Sequence, residues 1–168
     1  MLFRSWPCQW FVEVDDTYWR EMKICIVSSC GGHLTEVRCL MPAYEQYEHF
    51  YVLNNHAELP PDMVGKTDFI VHSERDWKLI INLWEAFRIL WRERPQVIVS
   101  TGAGPAVPFA IAGRYLFGCR IVYVETITRI SAPSMTGKIM YRLAHEFFYQ
   151  WKSLARFFPK GKYAGPLL

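Results

Sequence analysis

The chain has 168 residues, of which 51% are hydrophobic, 16% aromatic and 21% charged. This is the size of one ordinary domain with enough apolar material for a core, and it excludes disordered and fibrous classes. Nineteen Lys and Arg against sixteen Asp and Glu leave a net charge of +3, too small to argue for nucleic acid, so no nucleic-acid partner is expected. The aromatic share is high for a soluble domain and points to surface that meets a partner or a membrane.

The five cysteines (Cys8, Cys25, Cys30, Cys39 and Cys119) are odd in number and contain no CxxC pair. That argues against a zinc site or a disulfide framework and suits small buried hydrophobes in a reducing compartment. No metal and no cofactor is expected. Residues 1–21 carry acidic groups and lack the apolar run of about 7–15 residues that a secretory signal needs. No stretch of the chain reaches ~18 uncharged apolar residues, so no spanning helix is expected. Met22 leads directly into Lys23-Ile24-Cys25-Ile26-Val27. Residues 1–21 are therefore read as an extension or a mis-called start, and 22–168 as one domain.

In chain order, Lys23–Ser28 is an apolar strand. Residues 34–44 have helical spacing at Leu34, Val37, Leu40 and Met41, with Pro42 near the end. Segments 49–53 and 68–72 read as strands, and 76–94 as the longest helix, stopped by Pro95. Segment 96–100 is a strand, 105–117 an apolar helix closed by Gly118, and 120–125 a strand. Residues 136–145 are helical, 146–150 form a strand, and 162–164 a last short one. Near-continuous apolar strands alternating with helices predict an α/β fold, a doubly wound, Rossmann-like parallel sheet. In such sheets ligands sit beyond the carboxyl ends of the strands.

Three strand ends carry candidate chemistry. In Ser28-Ser29-Cys30-Gly31-Gly32-His33-Leu34-Thr35 a strand runs through paired glycines into a helix. Glycines permit close approach, and a helix start offers free N–H groups and a positive dipole end, which together suit phosphate. His33 can donate to a phosphate, act as a base, or simply cap a tight turn. Ser100-Thr101-Gly102-Ala103-Gly104-Pro105 repeats the strand–glycine–helix pattern, with Pro105 suited to a first helical turn. Val107 occupies the third glycine position of a dinucleotide fingerprint, so a second phosphate or lipid-headgroup loop, or a turn shaped for packing, reads better. Glu125 ends an apolar strand, where a carboxylate needs a partner or a role. Arg129 can pair with it or clamp a diphosphate. Thr136-Gly137-Lys138 resembles part of a P-loop, but Ala132 and Ile139 stand where that motif needs Gly and Ser/Thr, and it is rejected.

The long helix repeats Trp77, Trp84 and Trp91 every seven residues, with Ile80, Ile81, Phe87 and Leu90 widening the stripe. Lys78, Arg88, Arg92 and Arg94 supply positive charge. Core packing explains such a stripe, and so does contact with an anionic lipid surface. The residues assigned to membrane contact are Trp77, Trp84, Arg88, Trp91 and Arg92.

These motifs, together with Val122-Tyr123-Val124-Glu125, Phe147-Phe148-Tyr149-Gln150-Trp151 and Tyr163-Ala164-Gly165-Pro166-Leu167, resemble in order and spacing the PssD-type bacterial exopolysaccharide proteins. Those are similar to the membrane-recruiting subunit of the two-component UDP-N-acetylglucosamine transferase of asparagine-linked glycan assembly. The resemblance covers about residues 23–168 and implies the N-terminal half of a split GT-B glycosyltransferase. It implies binding of a polyprenyl-diphosphate-linked acceptor at the cytoplasmic face of the membrane. A small catalytic partner would carry the UDP-sugar lobe. Acceptor diphosphate is then expected on Ser29, Gly31, Gly32, His33, Thr35, Gly102, Gly104 and Arg129, with His33 or Glu125 as the catalytic base. Two rival expectations are a non-catalytic scaffold for the partner and a stand-alone nucleotide or sugar-phosphate binding module. A small hydrolase is disfavoured, since no GxSxG elbow is present.

Overall fold

The computed structural model describes residues 22–54, 59–71, 78–102 and 104–167. Seven parallel strands form one sheet: β1 Lys23–Ser28, β2 Glu48–Leu53, β3 Thr67–Phe69, β4 Val97–Ser100, β5 Arg120–Val124, β6 Glu146–Tyr149 and β7 Lys162–Tyr163. Their spatial order is β3-β2-β1-β4-β5-β6-β7. The chain builds outward from β1 in one direction, then returns to add β4 on its other side. The reversal between β1 and β4 is the topological switch point, where a crevice opens at the strand ends. Ile24 pairs with His49 on one side and Val97 on the other, and the central strands are buried on both faces, as their unbroken apolar sequences require.

Helices cover both faces. On one, α1 (Gly32–Cys39), α2 (Met41–Tyr44) and the Leu40 that joins them pack Val37, Leu40 and Tyr44 against Ile24, Ile26 and Val99. On the other, α3 (Lys78–Glu93), α4 (Ala106–Leu116) and α5 (Met135–Leu143) pack Ala86, Leu90, Phe109 and Met140 against Val27, Ile98 and Ile121. The doubly wound sheet expected from the sequence is thus present.

The differences have local causes. The helix expected over 34–44 breaks after Cys39, because Pro42 supplies no N–H and starts a separate turn. The strand expected over 68–72 stops at Phe69, and the Val71 N–H turns to the Glu85 carboxylate at 3.2 Å. The helix expected to reach 145 ends at Leu143: Ala144 is extended, and the His145 N–H already bonds to Ile121 O at 2.9 Å. Cys25 and Cys119 are buried as expected, whereas Cys30 and Cys39 are only half-buried. Residues 1–21, with Cys8, lie outside the described residues, as does Trp77.

The face of α3 that enters the core is Asn82, Ala86, Ile89 and Leu90. Leu90 therefore does not belong to the tryptophan stripe, which faces outward: Trp84 is 63% and Trp91 58% exposed. Core packing does not explain the stripe. Leu90→Ala should cost about 2–5 kcal/mol of stability, whereas Trp84→Ala should cost less than about 1 kcal/mol. Urea unfolding of the two variants checks this; comparable losses would contradict the assignment of faces.

Candidate functional site

The crevice at the switch point is built from the ends of β1, β4 and β5. After β1, Gly31 takes φ +98°, a conformation that side-chain-bearing residues rarely adopt, and starts α1. No side chain caps this turn. The Leu34 and Thr35 amides fold back to the Gly31 carbonyl at 3.0 and 3.2 Å, which leaves the Gly32 and His33 amides without a partner among the described residues. A Cβ at Gly31 or Gly32 would meet nothing within 4 Å. The turn is open, its donors sit at the positive end of a helix, and an anion can approach them.

After β4, Gly102 takes φ +131° and lies under the His33 ring. A Cβ there would stand 2.8 Å from His33 Cε1. The Thr101 hydroxyl donates to the His33 carbonyl at 3.0 Å, latching together loops 68 residues apart in sequence. The Ser100 side chain both donates to Gly102 O (3.1 Å) and accepts from Gly102 N (3.2 Å), fixing the loop's shape.

Glu36, which the sequence reading did not single out, completes the junction. It is buried on α1, one turn beyond His33. Its Oε1 accepts from Thr126 Oγ1 at 2.7 Å and from the Ile127 amide at 2.9 Å, so the end of β5 holds it. Among the described residues its Oε2 has no hydrogen bond and lies 3.7 Å from His33 Nδ1, which is likewise unpartnered. Nδ1 thus faces the carboxylate just beyond hydrogen-bond distance, and Nε2 points away from it. The i, i+3 spacing of the two was the available sequence signal.

Glu125 is placed differently. It is 0% exposed and its carboxylate packs on the first turn of α5: a Cβ at Gly137 would overlap Oε2 and lie 2.7 Å from Cδ. Gly137 is thus required by Glu125 and not by a phosphate. Ser134 caps the helix by accepting the Gly137 amide at 2.7 Å. Neither Glu125 oxygen completes a hydrogen bond among the described residues. The Ser134 hydroxyl and the amides of Thr126 and Ser134 are near enough to favour its charged form, but burial outweighs them and pushes its carboxyl above the usual value. The expected Glu125–Arg129 ion pair is not formed; Arg129 is exposed and acts on the carboxylate only through space. Gln150 ties this corner to the end of the chain, donating to Glu125 O at 3.1 Å and accepting from the Leu167 amide at 2.7 Å.

Of the other expected site residues, Ser29 is half-buried, Thr35 exposed and Gly104 half-buried, all at these strand ends; Ala103 lies outside the described residues. The α3 residues are separate from the crevice. Arg88 lies 5.8 Å from the Trp84 ring and Arg94 4.6 Å from the Trp91 ring. Arg92, grouped with them from the sequence, is committed to Asp68 and Glu93, each at 2.6 Å.

Larger solved structures share this Rossmann-like fold. MurG of Acinetobacter baumannii superposes with a TM-score of 0.64 at 15% identity, covering 77% of this chain and 41% of MurG. S. aureus MnaA, solved with UDP, gives 0.65 at 17% identity, covering 86% and 43%. The chain thus spans less than half of either. Residues 72–167 match the family described as oligosaccharide biosynthesis protein Alg14 like, and the chain belongs to that family. It is 26% identical over 188 residues to the human UDP-N-acetylglucosamine transferase subunit ALG14, covering 92% of this chain and 87% of that relative.

The buried carboxyl gives a pH signature. The fold holds Glu125 protonated to higher pH than the unfolded chain does. Its contribution to stability is therefore present below the unfolded value of about 4.3 and lost as pH rises through its raised folded value. Glu125→Gln cannot titrate. The unfolding free energy of the parent minus that of the variant should fall as pH rises through this window. A flat or rising difference would contradict the assignment.

Proposed function

We propose that this chain is the acceptor-binding, membrane-associating subunit of a two-component glycosyltransferase. It takes part in transfer of a sugar from a UDP-sugar to a polyprenyl-diphosphate-linked saccharide in polysaccharide biosynthesis, at the cytoplasmic face of the membrane. The observation that carries this reading is the open turn Gly31-Gly32-His33 at the switch point of a single lobe. Membership of a family whose relatives are named as subunits of a UDP-N-acetylglucosamine transferase supports it. The second lobe, with the UDP-sugar site, comes from a small catalytic partner, and the chain is inactive without it.

In this reading the acceptor diphosphate accepts from the Gly32 and His33 amides, with Ser29, Thr35, Gly102, Gly104 and Arg129 around it. The acceptor hydroxyl oxygen forms a bond to the anomeric carbon of the donor as the bond from that carbon to UDP breaks. The hydroxyl proton passes to His33 Nε2, and Glu36 holds the ring by Nδ1. Glu125 is too deeply buried to reach substrate and instead sets the position of α5 and the β5 end. The exposed Trp84, Arg88 and Trp91 face lies against the membrane, with amphipathic rings and a cation suited to anionic headgroups.

Three substitutions separate these roles in the reconstituted two-subunit enzyme. His33→Ala should lower kcat by about 10²–10⁴-fold with the fold retained, and full activity would remove His33 from the mechanism. Gly32→Trp fills open space and should raise the acceptor KM at least tenfold with little change in stability. An unchanged acceptor KM would count against the cradle. Glu36→Gln keeps an acceptor for Thr126 and should lower kcat, with a shifted pH profile and an unchanged acceptor KM.

A further inference from the structure

A second candidate site lies away from the glycine turns. Between the outer face of α5 and segment 155–160 the surface opens into a groove of about 880 Å³, within the range of about 300–1,000 Å³ typical of ligand sites. Its floor is aromatic: Tyr141, Phe147 and Phe158 meet at ring-centroid separations of 5.2, 5.1 and 4.5 Å. Lys138 and Arg142, one turn apart on α5, and Lys160 from segment 155–160 supply three cations, and among the described residues no Asp or Glu lines the groove. The nearby Glu146 is already committed to Arg120 and Lys162, each at 2.7 Å. Lys138, Arg142 and Lys160 have no ion-pair partner among the described residues.

The neutral polar groups also favour a ligand that accepts hydrogen bonds. Tyr141 Oη receives the Lys160 backbone N–H at 2.8 Å, which leaves the phenol's own proton to donate. His145 Nδ1 receives the Ile121 N–H at 3.0 Å, which puts the proton of the neutral ring on Nε2. Phe157 is 39% exposed, with the Arg156 guanidinium 4.7 Å from its ring centre, and extends the aromatic surface to the rim. Cations and donors without a carboxylate leave a positive potential over an apolar floor.

We infer that this groove binds an organic phosphate, an anion carried on an apolar or aromatic body. The phosphate is held between Lys138 and Arg142 on one side and Lys160 on the other, and the body lies against Tyr141 and Phe157. Lys138 follows the triplet's Gly137 in sequence but serves a different feature: the glycine admits the Glu125 carboxylate, while the lysine lines the groove.

Calorimetric titration of the full chain tests this with three probes: inorganic diphosphate, uridine diphosphate and farnesyl diphosphate. At least one organic probe should bind tenfold or more tighter than inorganic diphosphate, and which one does so separates a nucleotide source from an isoprenoid source. That binding should fall tenfold or more in the double variant Arg142→Gln/Lys160→Gln and persist in Gly32→Trp. Circular dichroism verifies that each variant is folded, and the exposed positions 142 and 160 leave the Tyr141–Lys160 backbone bond in place. Organic probes that bind no tighter than inorganic diphosphate would overturn the inference. So would binding that survives the double variant but is lost in Gly32→Trp, because the phosphate would then sit in the glycine turn.

Discussion

The imidazole of His33 rests on the backbone of Gly102, and this contact exists only because residue 102 has no Cβ. It joins the ends of β1 and β4, the two strands between which the order of the sheet reverses. The Thr101–His33 bond fixes the same junction from the backbone side. With the ring held there, the Gly31 turn presents its amides beside an imidazole rather than as an isolated helix end. In the proposed reading this gives the crevice an anion-binding end and a proton acceptor within one loop, as holding a phosphorylated acceptor for reaction at a second lobe requires.

Two buried carboxylates support the junction in opposite ways. Glu36 is held on one oxygen by Thr126 and the Ile127 amide and leaves the other near His33. Glu125 has neither oxygen hydrogen-bonded among the described residues, lies over the first turn of α5, and is kept protonated to raised pH by burial. The first is arranged to orient a ring. The second fits a helix start against a strand end, with Gly137 as the counterpart that makes room. Side chains of one type, both contacting the β5 end, therefore do different work because one is hydrogen-bonded and the other desolvated.

Much of this architecture was legible in the sequence. The sequence places β1 at its observed bounds, because an unbroken apolar run between a charged residue and a glycine turn has few alternatives. The two glycine turns were legible as strand–glycine–helix junctions, and the parallel sheet followed from the alternation. What the sequence did not disclose depends on contacts between distant segments. The role of Glu36 depends on Thr126 and Ile127, which lie 90 and 91 residues away. Arg129 was the nearest cation to Glu125 in sequence, but the fold gives that carboxylate a helix start instead. The tryptophan stripe had the right period for a buried face, yet Asn82, Ala86, Ile89 and Leu90 occupy the core and leave the larger rings outside. Arg92 looked like a surface cation for lipid until β3 brought Asp68 to it.

In the proposed reading, the open turn at the head of α1 receives the acceptor's diphosphate. Amide chemical shifts of the ¹⁵N-labelled chain, recorded while a short-chain prenyl-diphosphate-linked sugar is titrated in, report on it directly. The Gly31, Gly32 and His33 amides should move together with Gly102 and saturate with a common dissociation constant. Saturable binding that leaves those four amides unmoved would contradict it.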